Sequence, residues 1–211
     1  NNEISMLWGC GIKQRKNALK YNIYSWKDDR CNADILGLKG NKKIIVDNII
    51  NINRDNSDII ITPRRIKNYQ NLAIIKNYKL EFYVDFETVN NLNYDFENEI
   101  NKTEPIIFMI GCITKIYINN NIIDHWNTFT VDKLDRYNEK KIITEWLDYM
   151  DNLKDKYNVI SPKIFHWGNA EKIHYKNAQE FHNKELHDLN FVDMLEIFKN
   201  EPITIKNTFS Y

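Results

Sequence analysis

Asp85 and Glu87 stand two residues apart in the run "LEFYVDFETVN" (80–90), which is otherwise largely apolar, aromatic and β-branched. Residues two apart on a strand share a face, so both carboxylates point one way while Val84 and Phe86 point the other. Two like charges on one face repel and resist desolvation, and a bound divalent cation would offset that cost. Mg²⁺ or Mn²⁺ suits such a pair, because carboxylate oxygens hold these ions while leaving positions for water and phosphate oxygens. Two such ions activate water and stabilise a leaving oxygen in phosphodiester cleavage. The plainer alternative is a strand at a sheet edge with both acids solvated.

Further along lie other groups able to take part. His166 sits in the apolar run "KIFHW", where an imidazole is either a hydrogen-bonded core residue or one that contacts phosphate or orders a water. Trp167 beside it is either core or a surface on which a base stacks. Glu171 falls where a helix begins, a position the helix dipole favours for any acid. Asp193 follows a short apolar stretch, "NFV".

The elements that must position these residues follow from periodicity. From 79 onward "LEFYVDFE", "PIIFMIGCITKIYI" and "NIIDHWNTFTV" read as three antiparallel strands, with a hairpin turn at Asn119–Asn121. In "LDRYNEKKIITEWLDYMDNLKDKY" Ile142, Ile143, Trp146, Leu147, Met150 and Leu153 fall on one helical face. "KIFHW" after Pro162 is then a buried parallel strand, "GNAEKIHYKNAQEFHNKE" a helix opening at Gly168 or Asn169, and "NFVDMLEIFKNE" an extended entry into a helix. This order predicts an α/β fold, a mixed sheet of three antiparallel and then parallel strands flanked by helices.

Before it, residues 1–75 predict a small helical appendage. A short helix after Gly9 and Gly11 is followed by a turn at Tyr21–Asn22 and a second short helix over Ile23, Tyr24 and Trp26. "GNKKIIVDNIININRDN" adds a helix with Ile44, Ile45, Ile49 and Ile52 at helical spacing, and Pro63-Arg64-Arg65 with "KNYQNLAIIKNYK" forms a connector. Residues 76–211 form the second domain.

With 29 Lys+Arg against 29 Asp+Glu, the formal net charge is zero, so affinity for a polyanion must come from a local patch. Cys10, Cys31 and Cys112 are scattered, which argues against a zinc knuckle or disulfide framework and fits a reducing compartment. No apolar run approaches the ~20 residues that span a bilayer, and "NNEISMLWGC" lacks a signal-peptide pattern, which together predict a soluble intracellular protein without a membrane partner.

"VDFET", "IFHWGNAEKIHY" and "FVDMLEIF", in this order on this strand pattern, resemble the ribonuclease-H-like exonuclease superfamily with its DEDD carboxylate set. More narrowly, "HWGNAEK", "FVDM" and "TFSY" resemble the YprB-like branch, found beside RecB-like nucleases and helicases and in large DNA viruses. The resemblance implies 3′–5′ exonuclease-type hydrolysis of DNA or RNA with Mg²⁺ or Mn²⁺. It carries Asp85 and Glu87 over as the first-motif ligands, and Glu171 as the second-motif acid where most relatives have Asp. His166 becomes a candidate catalytic group and Asp193 a candidate metal ligand. The family's last carboxylate lies further downstream than Tyr211, which implies a fragment or a truncated product with an incomplete metal set. "LWGCGIKQRKNALKYNIYSWKD" resembles the helix-hairpin-helix-like element that accompanies such nucleases, implying phosphate contacts from a Gly-Ile turn with Lys13, Arg15 and Lys16. Arg64, Arg65 and Trp167 are further nucleic-acid candidates.

Two other functions compete. One is an inert nucleic-acid-binding or scaffolding module of a larger helicase-nuclease polypeptide, motivated by the absent last carboxylate. The other takes Asp85 as an aspartyl-phosphate nucleophile, but the Asp-x-Asp-Gly-Thr pattern of such enzymes is not met.

Overall fold

The computed structural model describes residues 2–68, 70–71, 79–89, 105–119, 121–183 and 185–211. Much of the expected connector after residue 68, and Asn120 in the predicted hairpin turn, lie outside the described residues. Along the chain run a short 3₁₀ turn (Ile4–Met6), α1 (Ile12–Leu19), α2 (Gly40–Arg54), β1 (Ile61–Thr62), β2 (Leu80–Val89), β3 (Ile106–Ile118) and β4 (Asn121–Thr130). Then come α3 (Arg136–Tyr157), β5 (Lys163–His166), α4 (Ala170–Phe181), β6 (Phe191–Asp193), α5 (Met194–Asn200) and β7 (Thr204–Ile205). The chain forms two compact units: a helical unit made of Asn1–Ile74 with Leu195–Tyr211, and a sheet unit, Ile75–Met194.

In the sheet unit the strand order is β4-β3-β2-β5-β6. β2 pairs antiparallel with β3 and parallel with β5, so the strand bearing Asp85 and Glu87 is central. β3 and β4 pair antiparallel, and β5 and β6 parallel, which is the mixed sheet that the sequence pattern predicts. Its alternation sets the packing: Leu80, Phe82, Val84 and Phe86 are buried with Ile110, Cys112 and Ile116 of β3, and Tyr83, Asp85 and Glu87 take the other face. Against the apolar face lie Ile142, Ile143, Trp146, Leu147 and Met150 of α3, with Tyr175 and Ala178 of α4. Trp146 meets Phe86 edge-on, with ring centroids 5.4 Å apart. Each large side chain buried here contributes roughly 1.5–3 kcal/mol.

Helix ends are chemically marked. Asp135 caps α3 by accepting the Asn138 N–H at 2.8 Å, and Asn158 ends it in the left-handed region at φ 51°. At the start of α3, fully buried Glu139 accepts the Ile107 N–H (2.8 Å), pairs with Arg136 (2.8 Å) and faces His182 Nε2 (3.1 Å). One carboxylate thereby ties together the starts of β3 and α3 and the end of α4.

The helical unit departs from expectation in three ways. First, α1 and α2 form, but residues 23–38 make turns rather than a second short helix. Ile23 and Trp26 are buried there while Tyr24 is 71 % exposed, and the Arg54 guanidinium bonds the carbonyls of Trp26, Asp28 and Cys31. Side-chain donors from α2 thus replace the helix ladder. Second, α2 buries Ile45, Val46, Ile49, Ile50 and Ile52, whereas Ile44 is half exposed.

Third, the C-terminal segment belongs with the helical unit and not with the sheet. β7 pairs antiparallel with β1, the Trp8 N–H bonds the Phe209 carbonyl at 2.7 Å, and Phe209 packs on Trp26. Glu201, buried, receives the N–H groups of Lys67 and Asn68 and the Asn71 amide, all within 3.0 Å; chiefly through the Lys67 N–H this holds its carboxyl below the ordinary range. All three cysteines are free and buried. Among the described residues no helix is long and apolar enough to cross a membrane.

Candidate metal and nucleic-acid site

Strand β2 carries Asp85 and Glu87 exposed on the sheet face opposite α3 and α4, as its period-2 pattern requires. Its pairing with β3 shifts register between Glu87 and Thr88, a β-bulge of the kind that re-aims side chains beside functional sites. On the other side β5 delivers His166, and Gly168 turns the chain at φ 92°, a backbone conformation suited to glycine. α4 then begins, with Glu171 in its first turn and only 4 % exposed.

These elements bring Glu171 against Asp85. Partial burial raises the Asp85 carboxyl above its ordinary value, and the neighbouring charges of Glu171 and then Glu87 raise it further. Glu171 Oε2 lies 3.3 Å from His166 Nδ1, with both side chains buried. Neither of those atoms makes a hydrogen bond of good geometry, so a buried carboxylate oxygen is left with spare capacity. His166 also packs edge-on against Phe191 at 5.4 Å.

Asp193 lies opposite His166 in the β5–β6 register and accepts the Gly168 N–H at 3.0 Å. That bond braces the turn leading into α4. Among the described residues, no three His, Cys, Asp or Glu side chains are gathered closely enough to form a complete metal cage. The structure therefore joins Asp85 and Glu171, sets Glu87 and His166 beside them, and places Asp193 in a bracing position.

Beside Asp85 opens an apolar groove of about 210 Å³, lined by Tyr83, Ile113, Trp126, Phe165, Trp167 and Met194, with His166 and Gly111. The rings of Tyr83 and Phe165 stack at 5.1 Å, and Trp126, 66 % exposed, donates its indole N–H to Thr128 Oγ1 at 3.1 Å. Gly111, the partner of Asp85 in register, lies beside the Trp126 ring. Trp167 is 45 % exposed, so it is not a core residue. Of this set, sequence reasoning named His166 and Trp167. The signal for the others was β2's own alternation, which puts Tyr83 on the face of Asp85, extended across the sheet by register.

The basic candidates lie in the helical unit and are exposed: Lys13, Arg15 and Lys16 on α1, Arg64 and Arg65 in the bend after β1. Arg15 pairs with Glu3 at 3.7 Å. The Gly11 N–H, expected to face phosphate, is taken by Gln14 Oε1 at 3.0 Å.

Comparison with protein-family models, with curated proteins and with solved structures gives no match for this chain.

Proposed function

We propose that the sheet unit is a ribonuclease-H-like, metal-dependent nuclease domain that hydrolyses phosphodiester bonds at nucleic-acid ends in the 3′–5′ direction. The observation that carries this reading is the convergence of Glu171 on Asp85, with Glu87 adjoining: burial first, and then these two charges, raise the Asp85 carboxyl, and a buried Glu171 oxygen is left without a hydrogen bond. Such mutual repulsion, with hard oxygen donors, suits Mg²⁺ or Mn²⁺ held by Asp85 and Glu171 with Glu87 beside them. When bound, the ions supply an activated water and stabilise the departing oxygen.

The chain's own residues do the rest. His166, against Glu171 Oε2, orients that carboxylate, and Asp193 holds the Gly168 turn from which α4 starts; both are positioning residues. The aromatic groove beside Asp85 offers planar apolar surfaces to an unpaired base.

End-labelled DNA and RNA oligonucleotides incubated with Mn²⁺ test the reading. Stepwise shortening that Asp85→Asn abolishes is expected, and shortening that persists unchanged in Asp85→Asn overturns it. A second reading, an inert nucleic-acid-binding or scaffolding module of a larger helicase-nuclease polypeptide, draws on the incomplete carboxylate cage among the described residues. It predicts binding without hydrolysis at any Mn²⁺ concentration.

A further inference from the structure

The zero net charge of the chain conceals a partition. The helical unit holds 15 Lys+Arg against 9 Asp+Glu, and the sheet unit 14 against 20. A polyanion is therefore repelled by the unit that bears the carboxylates and attracted by the other. Within the helical unit several cations are already neutralised: Arg15 by Glu3, Arg30 by Asp28 and Lys43 by Asp34.

Lys42 and Lys199 are not. Their ammonium groups stand 5.6 Å and 6.0 Å from the centroid of one indole, that of Trp8, and among the described residues neither makes an ion pair. The seat is held firmly. Trp8 packs on Tyr211 at 5.2 Å, its backbone N–H donates to the Phe209 carbonyl, and Asn41 donates to the Lys199 carbonyl at 2.7 Å, joining the start of α2 to the end of α5. The Lys42 stem lies on the backbone of Gly9, where φ is 64° and an added Cβ would fall 2.2 Å from Lys42 Cε. No acidic residue occupies the first turn of α2, where Lys42 sits. Two like charges drawn to one ring repel each other, and an anion bridging them relieves that repulsion.

We propose that Lys42, Lys199 and Trp8 form a seat on the helical unit for a nucleic-acid backbone, the two ammonium groups taking phosphates and the indole edge adjoining a base or sugar. The choice of nucleic acid among polyanions rests on the nuclease reading; the seat itself rests on the geometry of the helical unit. It differs from the Gly-Ile turn with Lys13, Arg15 and Lys16 that the sequence alone suggests.

The test measures binding of a fluorescent single-stranded oligonucleotide to the full chain in EDTA, where no metal-dependent hydrolysis occurs, over 50–200 mM salt. Each phosphate contact contributes about 0.7 to the slope of log affinity against log salt for a single strand. Lys42→Gln/Lys199→Gln is expected to lower that slope by about 1.4, and Lys13→Gln/Lys16→Gln to leave it unchanged. Gly9→Ala, which displaces Lys42 while keeping its charge, is expected to lower it by about 0.7. Lys42→Arg/Lys199→Arg should restore it, and circular dichroism checks the fold of each variant.

The seat is overturned if the wild type binds no oligonucleotide at 50 mM salt, if the slope falls only in the α1 variant, or if polyglutamate competes as well as the oligonucleotide. Hydrolysis with Mn²⁺, measured separately, distinguishes the two readings. Binding that needs Lys42 and Lys199 without hydrolysis leaves the seat standing and the nuclease reading refuted. Hydrolysis with an unaltered slope does the reverse.

Discussion

Replacing Glu171 by Gln should make the metal-free protein more stable and its metal complex less so. In the structure Glu171 is 4 % exposed and lies against Asp85, whose carboxyl is raised by burial first and then by the Glu171 charge. Two unit charges about 4–6 Å apart at an effective dielectric near 20 repel by about 3–4 kcal/mol. Asp85 is solvent-exposed, and discounting for screening brings the gain from removing one charge to about 1–2 kcal/mol. For a chain of this size that is a rise in melting temperature of about 3–6 °C in EDTA. The amide keeps an oxygen for His166 Nδ1, so the contact at 3.3 Å need not be lost.

In Mn²⁺ the order reverses. An ion at about 100 times its Kd stabilises the wild type by about 2.7 kcal/mol, and the variant, short of one donor, forfeits most of that. Differential scanning fluorimetry across a Mn²⁺ titration should show the two melting curves crossing, with Glu87→Gln falling between them. If Glu171→Gln melts lower than the wild type in EDTA, and both respond equally to Mn²⁺, the repulsion argued for this pair is absent.

Three further outcomes follow from particular groups. Because the Asp85 carboxyl is raised on folding, its contribution is fully present below the ordinary Asp value near 4 and is lost as pH rises through the folded value; Asp85→Asn should flatten that decline in a pH series of melts in EDTA. Glu139→Leu removes the buried carboxylate shared by Arg136, His182 and the Ile107 N–H, and should cost about 3–5 kcal/mol, with Glu139→Gln costing about half as much by urea denaturation. Burial pushes the Cys10 and Cys112 thiols up to about 11, so at pH 8 iodoacetamide should label them only at the rate of unfolding.

Much of the sheet unit was legible because its periods are local. The two-residue alternation of β2 separates Phe82, Val84 and Phe86 from Tyr83, Asp85 and Glu87, and the 3.6-residue spacing from Ile142 to Met150 fixes the face of α3. The helical unit was less legible because side chains distant in sequence hold it together. Nothing in the pattern of residues 23–38 announces that Arg54 will supply their donors, and a two-residue pairing between β1 and β7 has no period to detect. At the candidate site the residue types of Asp85, Glu87 and Glu171 could be named in advance. The role of Asp193 could not, since it depends on where the Gly168 N–H points. Nor could the seat at Trp8, which joins residues 8, 42 and 199.

The return of residues 195–211 to the helical unit makes the sheet unit an insertion within another fold. Two folding units are thus nested in one chain, the outer one discontinuous. Removing the last seventeen residues would leave the carboxylate-bearing sheet whole while taking β7, Phe209 and Tyr211 from the helical unit. Conversely, joining residue 74 to residue 195 through a short flexible linker would delete the sheet and keep both segments of the helical unit. The nesting also sets an order for synthesis: the sheet unit emerges and can fold while the helical unit still waits for its last strand.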